Sequence, residues 1–374
     1  MIFLTIIIFV LVLGVLVLAH ELGHFAVARL VGMRVEEFGF GFPPRIASFK
    51  RGDTVYSINL IPFGGFVKIL GENGESAEAD SFASQSALKR FFVLLAGVTM
   101  NVVLAWVLFS LALTLGIPTV ISQGETLPGN ARLSEPAVTI LLVEPDGPAA
   151  AAGMRPGDAI LAISGERVTA LQTALDITSQ KAGQQLIYEI KRGNEIIDIR
   201  SIPRSQPPVG QGPLGITLGL VARVSYPWYE AVYRGVGATV SLGIQIVIAF
   251  IYLIAGFFSG HSEAGSLTGP IGIAVLTRDA AKLGFVYVLQ FTALLSVNLA
   301  IINVLPFPAL DGGRIFFLVM EKVRGKKLNL KLENYTNTIG FFLLISLLVW
   351  VSIRDVSNFS GQLTSLWHRI LSVF

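Results

Sequence analysis

Five residues near the start of the chain, His20-Glu21-Leu22-Gly23-His24, have the types and spacing of a hydrolytic metal site. A separation of four puts both imidazoles on one face of a helix, where they can share one Zn²⁺. The glutamate beside them can take a proton from water. The pattern is short, and polar residues at a helix end in a membrane interface would look the same. The setting sharpens it: Ile2 to Ala19 is an apolar run with a single Thr. Ionisable side chains in an apolar helix are costly and usually functional. The chain has no cysteine and four histidines. Thiolate ligands, disulfides and cysteine nucleophiles are therefore excluded, and any metal must be held by His, Asp or Glu. His261 lies in a polar loop and His368 near the C-terminus, outside any motif, and both read as solvated.

A catalytic zinc usually takes three protein ligands and a water. The segment Asn303-Val-Leu-Pro-Phe-Pro-Ala-Leu-Asp-Gly-Gly313 offers Asp311 as the third. Pro306 and Pro308 interrupt an apolar helix there, which is tolerated at membrane depth mainly where the chain lines a cavity. An Asp-Gly-Gly turn closing a helix would account for Asp311 equally well. Asn303 reads either as a packing or capping amide or as a donor to a developing oxyanion.

The elements that must position these residues are membrane helices. Of 374 residues, 53% are apolar and 14% charged, against roughly 25% charged in soluble domains. The net charge of +3 is spread thinly, which argues against nucleic acid as a partner. Ile2–Ala19 is about long enough to cross a bilayer. Arg29, Arg34, Arg45, Lys50 and Arg51 follow it, so the N-terminus is expected outside. In the cytoplasmic stretch 35–90, Thr54–Leu60 and Phe66–Leu70 flank Pro62-Phe-Gly-Gly65 and read as a β-hairpin, ahead of an acidic loop over Gly71–Ser86. A second apolar run, Phe91–Leu115, leads outward behind Lys89 and Arg90.

Residues 122–222 have the composition of a small soluble α/β domain, placed outside. Strands are expected at Val138–Val143 and Ala159–Ile163 and a helix at Leu171–Ser179. A hairpin is expected around Gly193-Asn194. Three apolar segments follow: Val236–Phe258, Val286–Leu305 and Ile339–Val351. The basic loop between the last two, with Lys322, Arg324, Lys326, Lys327 and Lys331, is expected inside. An odd number of crossings must then separate it from the soluble domain. Val236–Phe258 is accordingly expected to be a surface or re-entrant element, the alternative being an ordinary fifth span. This parity places Asp311 on the same membrane side as His20 and His24.

HELGH in the first span, together with NxxPxPxLDGG in a late one, resembles the site-2 protease family, and most closely its bacterial regulator-of-sigma-E branch. Gly97-Val-Thr-Met-Asn101 is similar to the family's GxxxN, and Phe63-Gly-Gly-Phe-Val-Lys68 to its re-entrant β-hairpin. Gly153-Met-Arg-Pro-Gly-Asp158 and Pro213-Leu-Gly-Ile-Thr-Leu218 resemble a PDZ domain's turn and ligand-binding loop. Gly269–Ala274 is also similar to a family segment. Arg314 departs from the His found there in some relatives, and there is one PDZ-like unit where some relatives carry two.

The resemblance implies a polytopic α-helical membrane protein of about four transmembrane helices, with a re-entrant β-hairpin and an inserted α/β PDZ domain. The expected parts are 1–121, with the hairpin at about 54–72; the PDZ domain, 122–222; a membrane-associated segment, 223–285; and 286–374. It implies Zn²⁺ on His20, His24 and Asp311, and Glu21 as general base for a zinc-activated water. Asn303 is expected to assist catalysis, and Phe66, Val67, Lys68 and Asn101 to contact substrate. The expected activity is cleavage of single-span membrane proteins within their transmembrane segments, such as anti-sigma factors or remnant signal peptides, at the bacterial inner membrane. The PDZ unit would contact substrate or a regulatory peptide outside, and the lipid bilayer would surround the rest. A non-catalytic PDZ scaffold leaves HELGH unexplained. A zinc-binding transporter needs more intramembrane polar groups than the chain offers.

Overall fold

The apolar runs fold as long helices, and the stretches rich in Gly, Pro and charge fold as sheet. The computed structural model describes residues 2–72, 76, 78–122, 127–193, 195–259, 268–326 and 330–358. His261, His368 and the turn residue Asn194 lie outside the described residues. The chain divides into two compact units, Met1–Phe109 with Arg234–Phe374, and Ser110–Tyr233.

The first unit opens with α1 (Ile2–Leu30), β1 (Val35–Arg51), β2 (Thr54–Ile69) and α2 (Ala87–Leu115), whose end from Ser110 belongs to the second unit. Helix α1 continues well past Ala19, where the apolar run ends, so HELGH lies inside the helix. The continuation is held by packing: Phe25, Val27 and Ala28 join Met33, Val35, Val93 and Leu94 in one apolar cluster. Burial of such a face stabilises a helix more than propensity does.

The expected pairing of 54–60 with 66–70 is not formed. Gly39 pairs with both Ser57 and Phe66, and Phe38 with both Tyr56 and Val67. Residues 35–42 therefore lie between the two segments, because each long strand bends back along its length. Residues 45–51 pair on the far side of 54–59, and β1 and β2 form a sheet of their own. This leaves 65–69 as the outer rung of the sheet, with no further strand paired beyond it among the described residues. Ile46, Phe49, Ile58 and Leu60 are exposed, and so large an apolar surface marks contact with lipid or with a partner.

The second unit contains β3 (Ile117–Val120), β4 (Arg132–Leu133), β5 (Ala137–Val143), α3 (Pro148–Ala151), β6 (Ala159–Ile163), β7 (Glu166–Arg167), α4 (Leu171–Gln180), β8 (Leu186–Arg192), β9 (Glu195–Ser201) and β10 (Ile216–Ser225). The main sheet runs β3-β10-β5-β6-β8-β9. Alternate residues Leu186, Tyr188 and Ile190 of β8 are buried with Val138 and Ile140 of β5, the period of two that a half-buried strand requires. Asp158, 1% exposed, organises the turn after α3. Its carboxylate accepts from Arg192 Nε at 2.7 Å, Arg192 Nη2 at 2.6 Å and the Arg155 amide at 2.9 Å. The carboxylate holds the Arg192 guanidinium pKa above its ordinary value, and burial pushes the Tyr188 hydroxyl up to about 12.

The chain then forms α5 (Trp228–Ser259), α6 (Pro270–Leu283), α7 (Phe285–Val304), α8 (Asp311–Arg324) and α9 (Leu330–Asn358). Five described helices are long and apolar enough to cross a membrane, with α5 added to the four expected. Helix α5 is unbroken, so no re-entrant turn lies within it, and Leu242 and Ile246 pack on Ala105 of α2 and on Ala293 and Val297 of α7. Helix α7 stops at Val304 because Pro306 and Pro308 supply no N–H to continue it.

Candidate metal centre

Helix α1 carries His20 and His24 one turn apart, and α8 begins at Asp311. Their donor atoms converge. His20 Nε2 and His24 Nε2 are 3.2 Å apart, and Asp311 Oδ2 lies 3.1 Å from the first and 3.3 Å from the second. A tetrahedral zinc with bonds of ~2.0–2.1 Å separates its ligand atoms by ~3.3 Å, so the triangle has the size the ion needs. Asp311 Oδ2 is buried and makes no hydrogen bond of good geometry, as expected of an atom aimed at a shared point and not at either neighbour. Among the described residues, no other set of His, Asp and Glu side chains is close enough to hold one metal ion.

The surroundings fix these side chains. His24 Nδ1 lies 2.8 Å from the Val93 carbonyl. A carbonyl can only accept, so the proton sits on Nδ1 and the Nε2 lone pair is free for a metal. Gly97 of α2 makes room for both rings, since a β-carbon there would come 2.3 Å from His24 Nε2 and 2.7 Å from His20 Cε1. On the other side, a β-carbon on Gly312 would meet the Val304 and Leu305 carbonyls at 2.2 Å. Only glycine lets α8 start this close to the proline loop. Asn337 of α9 accepts the Ala309 amide at 3.2 Å, and Ala309 holds a left-handed φ of 73°. Arg314 pairs with Glu72, and Arg90 with Glu321 at 3.0 Å, tying α8 to the end of β2 and to α2.

A cavity of about 340 Å³ opens beside the triad. Its walls include Glu21, Phe66, Val67, Ile69, Glu72, Arg314 and Asn337. The structure thus brings Glu21, Phe66 and Val67 to the three donor residues. Lys68 points elsewhere, its side chain 65% exposed and its Nζ 2.8 Å from Glu36. Asn303, in the last turn of α7, is half-buried and outside the cavity wall. Asn101 is fully buried behind His20, with its amide nitrogen 3.2 Å from His20 Nδ1. The roles of Val93 and Asn337 carry no sequence signal: one is a backbone carbonyl, the other an isolated asparagine in a membrane helix.

Two imidazoles, a carboxylate and an adjacent glutamate on one cavity make up the donor set of a metal-dependent hydrolase. The sequence profile of peptidase family M50 matches residues 8–347. A provisionally named zinc metalloprotease of Clostridium perfringens is 36% identical, over 91% of this chain and 95% of that protein. The regulator of sigma-W protease RasP of Bacillus subtilis is 29% identical, over 95% and 98%. The PDZ domain of the SdrC-like protein of Listeria monocytogenes is similar at 26% identity and a TM-score of 0.20, covering 22% of this chain and 86% of that domain. The chain belongs to peptidase family M50 and is a zinc metalloprotease of the site-2 protease family, a multi-pass membrane protein.

Proposed function

We propose that this protease cleaves single-span membrane proteins inside their transmembrane segments, with His20, His24 and Asp311 holding the zinc. The carrying observation is the convergence of the three donor atoms within 3.1–3.3 Å, between an apolar helix and a proline-broken one. Zinc held there supplies Lewis acidity, making water more acidic and polarising a peptide carbonyl. Glu21, on the same cavity, takes the proton of the attacking water and delivers it to the leaving amine.

A helical substrate must unwind before its peptide bonds can be reached. The outer edge of 65–69 offers backbone groups to the unwound segment, where little water is available to satisfy them. Phe66 and Val67 line the cavity from that rung, so the edge and the donor triad share one space. Backbone pairing accepts varied side chains, which suits an enzyme for apolar segments. Asn303 would steady the transition state only if the last turn of α7 reaches the substrate.

In this reading the N-terminus and the PDZ-like unit are extracytoplasmic, in the inner membrane of a bacterium, and the PDZ-like unit sieves or docks substrates. Helix α5 has the length and apolar sequence of a span. The mid-length packing of α5 on α2 and α7 favours a span, whereas the parity of the basic loop holding Lys322, Arg324 and Lys326 keeps both its ends on the outer side. Asp355, near the end of α9, accepts from Gly269 N at 3.2 Å and Gly272 N at 2.7 Å. Asn337, at the cavity, is about 27 Å away along the same helix at ~1.5 Å per residue, close to the ~30 Å hydrocarbon core. The Bacillus relative is named a regulator of sigma-W protease, and an anti-sigma factor is one substrate class in this reading. The test is to incubate the reconstituted enzyme with a panel of single-span peptides and map the cuts by mass spectrometry. Cuts confined to the apolar segment support the proposal, and cuts confined to soluble flanks reject it.

A further inference from the structure

Both metal-facing imidazoles have a second ring nitrogen to satisfy. For His24 the partner is the Val93 carbonyl. For His20 the polar group at its Nδ1 is the side-chain amide of Asn101, 3.2 Å away and fully buried. As placed, the amide nitrogen faces the ring and the amide oxygen is buried with no donor. This orientation conflicts with the convergence of His20 Nε2 on the donor triangle. A ring whose Nε2 lone pair points at a metal carries its proton on Nδ1, so two donors would face each other. The oxygen and nitrogen of an amide are exchanged by a half-turn that hardly changes its shape. The half-turn sets Oδ1 on His20 Nδ1–H and turns the amide NH2 to the side where the oxygen had no donor.

We infer that Asn101 is a positioning residue for the metal centre: its amide oxygen accepts from His20 Nδ1–H and fixes the ring with Nε2 toward the zinc. This differs from the substrate contact expected of Asn101 from sequence, and it rests on His20 being a zinc ligand. Helix α2 is built for the task. Gly97 and Asn101 lie one turn apart and both face HELGH, the glycine leaving space for the rings and the asparagine meeting one of them. Ser296 of α7, itself fully buried, donates to the Asn101 carbonyl at 2.7 Å and steadies that turn. Asn101 is not part of the cavity wall. It therefore acts through His20 and not on the substrate.

The experiment measures the zinc dissociation constant by competition with a chromophoric chelator, on the full-length protein in detergent. The variants are Asn101→Ala, Asn101→Leu, Asn101→Asp and His20→Ala. Removing such an outer partner typically weakens metal binding on the order of 10–100-fold, and that loss is expected for Ala and for Leu. Leu has the branching and heavy-atom count of Asn and is not smaller, so a loss shared by Ala and Leu does not come from a cavity. Asp can accept but not donate, and is expected to bind zinc at least as tightly as Asn. Unchanged affinity in the Ala and Leu variants, with zinc lost in His20→Ala, would overturn the inference alone. Weakening of Asp to the level of Leu would overturn the assigned amide orientation. Full zinc binding by His20→Ala would overturn the ligand assignment beneath it.

Discussion

Gly97 lies directly under His24: a β-carbon on the glycine would stand 2.3 Å from the imidazole Nε2. The two imidazoles on α1 can reach the donor triangle only because α2 has no side chain at that point. Gly97→Ala should push both rings off the donor triangle. Overpacking of this kind costs about 1–3 kcal/mol, and zinc affinity should fall about 10-fold or more by the same competition measurement. An unchanged dissociation constant would show that the rings do not depend on this contact.

The second prediction concerns Asn337 and Ala309. A left-handed alanine is strained by about 1–2 kcal/mol, and the hydrogen bond from its amide to Asn337 helps to hold it. That loop leads directly into Asp311. Asn337→Ala should weaken zinc binding about fivefold, the worth of a hydrogen bond of about 1 kcal/mol. Ala309→Gly, which removes the strain, should restore most of the loss in that background. A loss that Ala309→Gly leaves untouched would mean that Asn337 acts in another way.

The strand edge gives a third. Proline has no N–H to donate to a ladder. Placed at Val67 or at Lys68, it should remove one pairing position, and one of the two should face the substrate. The affected variant should keep zinc while substrate binding weakens by about 1–3 kcal/mol, the penalty for an unpaired buried group. Val67→Thr, which keeps its N–H, should cost much less. Parental KM in both proline variants would remove the edge from the mechanism.

Topology provides the fourth, because the chain has no native cysteine to mask. Single cysteines at Ser205, Ser225 and Ser262 should react with an impermeant thiol reagent added from outside, and one at Lys326 should not. Labelling of Ser225 and Ser262 from opposite sides would make α5 a span.

Much of the centre could be read in the sequence because metal chemistry restricts residue type. With no cysteine and four histidines, HELGH had few competitors, and the interrupted helix around Pro306 and Pro308 pointed to a cavity. Asp311 could be paired with the histidines only through the membrane parity and the family resemblance, since a contact between residues 20 and 311 leaves no local trace. The sheet was misread for a related reason. Residues 54–60 and 66–70 have the pattern of a hairpin, yet 35–42 pairs with both, and nothing in a strand's alternation names its partner. For Asn101 a motif supplies a position and not the direction of its amide, so its contact with His20 could not be read from the sequence.

The central claim is that zinc on His20, His24 and Asp311 works with Glu21 as proton carrier. Its most direct test is Glu21→Gln, with zinc content and cleavage of a single-span peptide measured on the same purified protein. The amide keeps the size of the side chain and cannot accept the proton. Zinc should stay at parental occupancy while cleavage falls by about 10²–10⁴-fold, the usual worth of general acid–base catalysis. Cleavage at the parental rate by the zinc-loaded variant would contradict the account.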